Sequence, residues 1–375
     1  MTDQGLSAIV LAAGEGTRMR SSRPKPLHLL CGKAMLRYVL GSLVDCSVGR
    51  VVVVVGHGAE RVTKKLQSEE PDLMLEFVEQ HVQRGTGDAA SVGLTGFTDD
   101  AADEDDDEGQ VIVLPGDTPL LRPATVAQLV EMHREAGAAC TVLTARVDDP
   151  TGYGRVIRGR DGRVARIVEH ADATAEELEI DEINTSIYCF RRNVLAPALR
   201  RLSPENAQGE YYLTDVVEVL HDAGYGVTAF IAGDPAETQG VNDRVQLAAA
   251  EAELRRRTND DWLRRGVTMV DPSHTYVDAT VRLAPDVTLF PGTILPGTTV
   301  VDGRAEIGPD TRLVDCLVGA DAIVEQSTGR DAEIGAGARI GPYAVLQPGA
   351  SVPPGAVTGP FYTASGPDDG PTDQG

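Results

Sequence analysis

The stretch "IVLAAGEGTRMRSSRPKPLH", Ile9 to His28, runs an apolar strand into a glycine turn, then sets Arg18 and a Lys25 held between two prolines close behind it. The run Ala8–Leu11 has no polar alternation, the pattern of a strand buried on both faces. The turn matches neither of two familiar phosphate motifs. A P-loop requires GxxxxGK[ST], and no Lys-Ser or Lys-Thr pair follows Gly14 or Gly16; a dinucleotide fingerprint would place glycine where Met19 stands. What remains is a turn whose backbone N–H groups can close on phosphate oxygens, with Arg18 able to fork onto phosphate and Lys25 offering a point charge. Such turns also serve to pack backbone against backbone, and the stretch alone leaves both readings open.

Working outward, the apolar runs Val51–Val55, Val111–Leu114 and Thr141–Leu143 alternate with helical stretches such as Met35–Val44 and Ala124–Ala136. The spacing fits βαβ units building a mainly parallel, Rossmann-like α/β sheet. In such sheets ligands sit beyond the carboxyl ends of the strands, where Gly14 and Asp117 both fall. A segment rich in Ala, Leu, Glu and Arg, Asp243 to Arg265, predicts a long connecting helix. After it the texture changes. Val281 and Val287, Ile307 and Leu313, then Ile334, Ile340, Leu346 and Val352 recur at hexapeptide spacing, several followed by Gly or Pro-Gly. One inward aliphatic and one turn per flat face predict a short left-handed parallel β-helix of about four coils, each of about eighteen residues. The expected organisation is residues 1–242 as the catalytic-type domain, 243–266 as the connecting helix, 267–360 as the β-helix and 361–375 as a disordered tail.

Charge and cysteine usage narrow the partners. With 34 Lys and Arg against 57 Asp and Glu, the net charge of −23 argues against nucleic acid and anionic membrane. Part of that excess lies in "DDAADEDDDEG", Asp99 to Gly109, read as a solvated loop. Cys31, Cys46, Cys140, Cys189 and Cys316 are scattered and never spaced as CxxC, so neither a disulfide framework nor a zinc site is expected. The seven histidines share no ligand spacing and are read as structural or exposed. No leader pattern and no long apolar run is evident, and a soluble cytoplasmic protein is expected.

"LAAGEGTRM" with "RPKPLH" resembles the opening signature of the sugar-1-phosphate nucleotidylyltransferases. The segments "EQHVQRGTGDAA", "LPGDTPLL", "DDPTGYGRVIR", "IVEHADAT", "EINTSIYCF", "NAQGEYYLTDVV" and "GVNDRVQLA" narrow the resemblance to the uridylyltransferase half of the bifunctional GlmU family. They follow that family's order over residues 6 to about 265, and the β-helix after them matches its arrangement. The resemblance implies a nucleotidyltransferase sheet of the GT-A-like type and transfer of UMP from UTP to N-acetylglucosamine-1-phosphate with Mg²⁺. Carried over by position, it implies that Leu11, Ala12, Ala13 and Gly14 line the uracil and phosphate side, while Gln80, Gly85 and Thr86 read the base edge. Asp117 and Asn242 would hold the metal, and Arg18 and Lys25 would act in catalysis. Gly154, Glu169, Asn184, Tyr212 and Thr214 would contact the sugar phosphate. Related proteins pack three such prisms about a threefold axis, which implies a homotrimer.

The chemistry makes sense of that set. A sugar-1-phosphate is already an anionic nucleophile, so attack on the α-phosphorus needs alignment and charge neutralisation rather than a general base. Some positions depart from the family. Gln347 stands where its "LRPG" has Arg, and the coils that would bring the acetyl-transfer residues are absent, so no acetyltransferase activity is expected. Asp88 stands where the family often has His, Pro115 where an aromatic is common, and Ser186 where "NTG" has Gly. These leave room for another sugar-1-phosphate, a cyclitol phosphate or another nucleotide. A silent nucleotide-sugar sensor would be expected to lose Arg18, Lys25, Asp117 or Asn242, and all four are here. A hexapeptide acyltransferase is the remaining alternative, opposed by the departures at the C-terminal end.

Overall fold

Leu6–Ala12, apolar on both faces, pairs in parallel with Arg50–Val55 on one side and with Gln110–Pro115 on the other. The chain thus leaves the central strand towards one edge and returns on its opposite side, which opens a crevice at the strand's carboxyl end. The computed structural model describes residues 5–56, 58–67, 74–100 and 109–366. Across the sheet the order is Val227–Ile231, Cys140–Arg146, Glu182–Arg191, Gln110–Pro115, Leu6–Ala12, Arg50–Val55, Leu75–Glu79. Most neighbours are parallel. Glu182–Arg191 is antiparallel to both of its neighbours, a feature that the apolar-run pattern does not reveal, because a strand buried on two faces looks the same in either direction. Its direction matters for the site: it begins where the parallel strands end, so Asn184 arrives at the same edge of the sheet as Gly14 and Asp117. A short hairpin, Arg155–Arg158 with Val164–Val168, hangs from its start.

Successive residues of the strands feed two cores. Ile9, Val52, Val54, Val111 and Val113 face one, together with residues of the helices Thr86–Leu94, Arg192–Leu199 and Asp215–Asp222. Ala8, Val10, Val51, Val53, Ile112 and Leu114 face the other, with the helices Met35–Gly41, Ala59–Gln67 and Pro123–Ala136. The first of these helices stops at Gly41, short of the expected Val44, and a 3-10 turn Val44–Cys46 follows.

The chain divides into two compact units: Met1–His28 with Ala34–Leu247, and Leu29–Lys33 with Ala248–Gly375. The division falls inside the long helix Arg244–Arg264. Within the second unit the Cys31 amide donates to both carboxylate oxygens of Glu251 at 3.1 Å, and the Ala279 amide donates to the Cys31 carbonyl at 3.0 Å.

The rest of that unit is a left-handed parallel β-helix. Three stacked sheets of five, six and five short strands run from Thr268–Met269 to Thr363–Ala364. All eight hexapeptide aliphatics named above point inward, none more than 3% exposed. The stack holds more coils than the expected four, because its first coil, carrying Met269 and Val277, lacks the Gly-Pro signature that marks later corners. The last strand, Thr363–Ala364, pairs with Val345–Leu346, and Phe361 stacks on Tyr343, so residues 361–366 of the expected tail close the stack. Residues 367–375 of that tail, and 101–108 of the acidic loop, lie outside the described residues.

Part of the acidity has a conformational use. Asp286, Asp310, Asp315, Asp321 and Asp331 sit at coil corners with φ between 46° and 64°, a left-handed geometry that short polar side chains tolerate better than most. At Gly341, φ is 115° and an added Cβ would lie 2.2 Å from the Glu325 carbonyl oxygen, so only glycine turns that corner.

Leu313 is fully buried in this interior. Leu313→Ala is expected to lower the stability of the β-helix by about 2–5 kcal/mol through lost burial and a residual cavity. Calorimetric unfolding of the full chain reads this as a downshift of one transition; an unmoved profile would mean that the prism interior is loosely filled.

Candidate active site

At the carboxyl edge of the N-terminal sheet a cleft of about 450 Å³ opens between the turn Ala13–Gly14 and the loops that follow Gln110–Pro115 and Glu79. Its backbone frame depends on close approach. A Cβ on Gly16, whose φ is 64°, would lie 2.7 Å from the Lys25 Cβ, so this glycine lets the Pro-Lys-Pro segment lie against the turn. Gly116 donates its amide to the Leu11 carbonyl at 2.8 Å, and a Cβ there would meet the Ala12 Cβ at 2.9 Å. Asp117 is thereby set directly beside the glycine turn.

Lys25 reaches into the cleft and its ammonium donates to the Asp117 carboxylate and, at 2.8 Å, to the Asn242 side-chain carbonyl. Lys25 and Asp117 are 12% and 25% exposed, so the pair is shielded but still reachable. Asn242 is fixed by its own loop: its amide donates to Gln246 at 2.7 Å, and the Val241 amide donates to the Asp117 carbonyl at 2.8 Å. Two hard oxygens thus already converge on one cation, the ammonium. One carboxylate and one amide oxygen leave most of an octahedral shell to other donors, which fits a divalent ion that shares its coordination with phosphate and water. Among the described residues no group of three or more His, Cys, Asp or Glu gathers as a metal site elsewhere.

At the other end, Gln80 extends the strand Leu75–Glu79 by donating its backbone amide to Val55 at 2.8 Å. Its buried side-chain amide donates to Asp88 at 2.7 Å. Thr86 accepts from the Leu213 amide at 3.0 Å, which ties the helix Thr86–Leu94 to the segment before Asp215–Asp222. Gln83, which the sequence reading did not single out, donates to the Ala13 carbonyl at 2.6 Å and lines the cleft. It lies inside the "EQHVQRGTGDAA" segment, but nothing in its spacing marks it.

The third wall carries the acidic and hydroxyl groups. Glu169 accepts from Thr214 at 3.1 Å; burial pushes its carboxyl up from the ordinary range, against the pull of that hydrogen bond. Asp215 is pushed up to about 6 by burial and then by Glu218, Glu169 and Asp172. Asn184 donates its amide to the Gly154 carbonyl at 2.9 Å, and its side-chain oxygen accepts from the Ser186 amide at 3.1 Å. The pairing with Cys140–Arg146 slips between Asn184 and Ile187, and Ser186 sits in that bulge at φ 60°.

Of the positions expected from sequence, Leu11, Ala12, Ala13, Gly14, Lys25, Gln80, Gly85, Thr86, Asp117, Glu169, Asn184, Thr214 and Asn242 all line this one cleft. Three do not. Arg18 is exposed on the short turn Thr17–Met19, and Gly154 supports Asn184 from behind. Tyr212 is buried, its phenol pushed up to about 12 by burial and by Asp172 and Glu169. Tyr153 and Tyr188 also line the cleft and were not among the expected positions, although they lie inside the segments "DDPTGYGRVIR" and "EINTSIYCF". No histidine among the described residues lines it.

Residues 8–224 match the MobA-like NTP transferase domain family. The chain is 47% identical over 329 residues to the bifunctional protein GlmU of Thermobifida fusca, an alignment covering 88% of this chain and 67% of that protein. It is 44% identical over 328 residues to that of Exiguobacterium sibiricum and 46% over 330 residues to that of Bifidobacterium longum, covering 88% of this chain and 70% of each.

Ser186 holds a backbone conformation that glycine adopts freely, and its Cβ has no evident compensation in the bulge. Ser186→Gly is expected to stabilise the N-terminal unit by about 0.5–1 kcal/mol, the left-handed cost removed less the extra chain entropy of glycine. Thermal unfolding checks it: a destabilised variant would show that the serine hydroxyl has its own role in holding the bulge.

Proposed function

The chain belongs to the GlmU family of nucleotidyltransferases, and from that premise we propose that it transfers UMP from UTP to N-acetylglucosamine-1-phosphate, giving UDP-N-acetylglucosamine and pyrophosphate, with Mg²⁺ as cofactor. The observation that carries this reading is the convergence of Lys25, Asp117 and Asn242 in the cleft that Gln80 and Asn184 also line. A phosphoryl-transfer site needs countercharge where oxygens crowd. Among the described residues Lys25 is the only cationic side chain lining this cleft, against the carboxylates of Asp117, Glu169 and Glu210, so a bound polyphosphate calls for a further cation.

The residues divide the work as follows. A phosphate oxygen of the sugar-1-phosphate attacks the α-phosphorus, a new P–O bond forms, and the bond to the β-phosphate oxygen breaks to release pyrophosphate. Asp117 and Asn242 would hold the metal, which would supply countercharge to the phosphate oxygens. Lys25, released from those two oxygens, follows the phosphates and stabilises the crowded α-phosphorus. Arg18, exposed on the adjoining turn, meets the departing pyrophosphate from the solvent side. Leu11, Ala12, Ala13 and Gly14 support the uracil and phosphates, with Gln80, Gly85 and Thr86 at the base edge. Glu169, Asn184 and Thr214 meet the sugar, with Gly154 and Tyr212 behind them.

Pro115 and Ser186, both lining the cleft, favour a second reading, in which the same chemistry acts on another sugar-1-phosphate or a cyclitol phosphate. We propose acetyl transfer to be outside the repertoire, supported by Gln347 in place of a basic residue. We place the protein in the cytoplasm, where its free cysteines stay reduced; among the described residues no helix is long and apolar enough to cross a membrane.

A pyrophosphate-release panel of UTP, dTTP, ATP and GTP against several sugar-1-phosphates tests the reading. UTP with N-acetylglucosamine-1-phosphate is expected to lead; a clear preference for another sugar or cyclitol phosphate would install the second reading. Acetyl-CoA with glucosamine-1-phosphate is expected to give no free thiol. Asp117→Ala and Asn242→Ala should each lose about a hundredfold or more of turnover, and Lys25→Ala should lower kcat more than it raises KM. Wild-type rates in both metal-site variants would remove the metal assignment.

We also propose a homotrimer. Tyr276 and Ile294, in register on one face of the β-helix, and Val345 further along that face are 41%, 36% and 39% exposed, with Arg312 and Thr328 between them in the same outward row, a mixed surface whose apolar members a neighbouring prism would cover. Light scattering is expected to give three times the chain mass of 39.7 kDa; a single-chain mass at micromolar concentration would sink the trimer.

A further inference from the structure

Asp88 is the third residue of the helix Thr86–Leu94, where an acidic side chain meets the positive end of the helix. It is not among the residues that line the cleft, and its side chain meets Gln80 instead. Its carboxylate accepts from the Gln80 side-chain nitrogen at 2.7 Å, and the same nitrogen lies 3.4 Å from the Gly85 carbonyl oxygen. An amide can be seated in either sense, but both of these neighbours only accept hydrogen bonds. They therefore take the NH₂ end of Gln80 and leave its carbonyl as the end free for a ligand. The backbone cannot swing to undo this, because the Gln80 amide is tied to Val55 at 2.8 Å and the side chain is only 5% exposed.

We propose that Asp88 is a positioning residue for base selection: it turns the Gln80 amide so that a carbonyl, which can only accept, meets the base edge. The inference rests on Gln80 reading the base, as put forward above. A carbonyl pairs with a base that presents a ring N–H, the imide edge of uracil or thymine. It repels the bare ring nitrogen that cytosine presents at the same place, lone pair against lone pair. Without the carboxylate the amide can turn, and its NH₂ group then suits cytosine.

Calorimetric titration of the full chain with UTP and with CTP reads the preference without requiring turnover. The wild type is expected to bind UTP at least tenfold more tightly than CTP, and Asp88→Ala to lose most of that ratio. Asp88→Asn, which keeps one acceptor oxygen, should fall between the two and carries the test should the alanine variant not fold. In turnover assays the loss with UTP should fall on KM rather than kcat. A wild type without base preference, or variants that weaken UTP and CTP binding equally, would overturn the proposal. An Asp88-dependent preference in a protein that releases no pyrophosphate would uphold it while removing the transferase reading, so the two failures are distinguishable.

Discussion

The N-terminal unit closes on one ammonium. Lys25 draws Asp117 and Asn242 together from loops that lie 92 and 217 residues away along the chain. Each partner sits at a loop end, and the Val241 amide, donating to the Asp117 carbonyl, ties the two loops to one another, so the charge cluster, together with that backbone pairing, aligns the three side chains. Its formation depends in turn on absent side chains: Gly16 admits Lys25, and Gly116 admits the segment that carries Asp117. A methyl group at either glycine would move a charge, and a shielded charge without its partner costs far more than a lost surface ion pair. The same two oxygens that hold the ammonium are hard donors of the kind a divalent ion takes, as the proposed metal role requires.

How much of this was legible in the sequence differs by element, for physical reasons. The strands Arg50–Val55 and Gln110–Pro115 were readable because burial on two faces removes polar alternation, and the β-helix because each coil repeats one inward aliphatic per face. Strand direction leaves no such trace, so the antiparallel Glu182–Arg191 was invisible although its motif was recognised. The first coil falls inside the expected bounds 267–360 but escaped the coil count for lack of corner glycines, and the association of Leu29–Lys33 with the second unit could not be read from a linear order. In the cleft, thirteen of the positions named from sequence line the cavity; Tyr153, Tyr188 and Gln83, which line it as well, carry no spacing or charge signature that would have marked them.

Charge behaves differently in the two units. In the β-helix several aspartates turn corners, each holding a left-handed φ, and of these Asp321 is also paired with Arg304 at 2.7 Å. Around Glu169, which lines the cleft, carboxylates crowd together, and burial raises Glu169 and the neighbouring Asp215 above their ordinary range. For both groups the raised value means that folding opposes ionisation, so each costs stability above its unfolded value rather than adding to it. A cost tolerated next to a ligand cleft is the usual mark of groups placed for recognition rather than for packing.

The departures from the family pattern follow the same division. Pro115 and Ser186 line the cleft themselves, Ser186 donating its amide to Asn184, whereas Asp88 stands one step back and accepts from Gln80. None of them alters Lys25, Asp117 or Asn242. Displacing phosphate from phosphate demands little beyond fixed charges at fixed points, so that part of the site has few alternative solutions. Recognition of a base edge or a sugar hydroxyl depends on how a few amides and hydroxyls are turned, and a neighbour that only accepts, or a backbone held at positive φ, is enough to turn them. Variation in this chain is therefore concentrated where it can change what is bound without changing what is done to it.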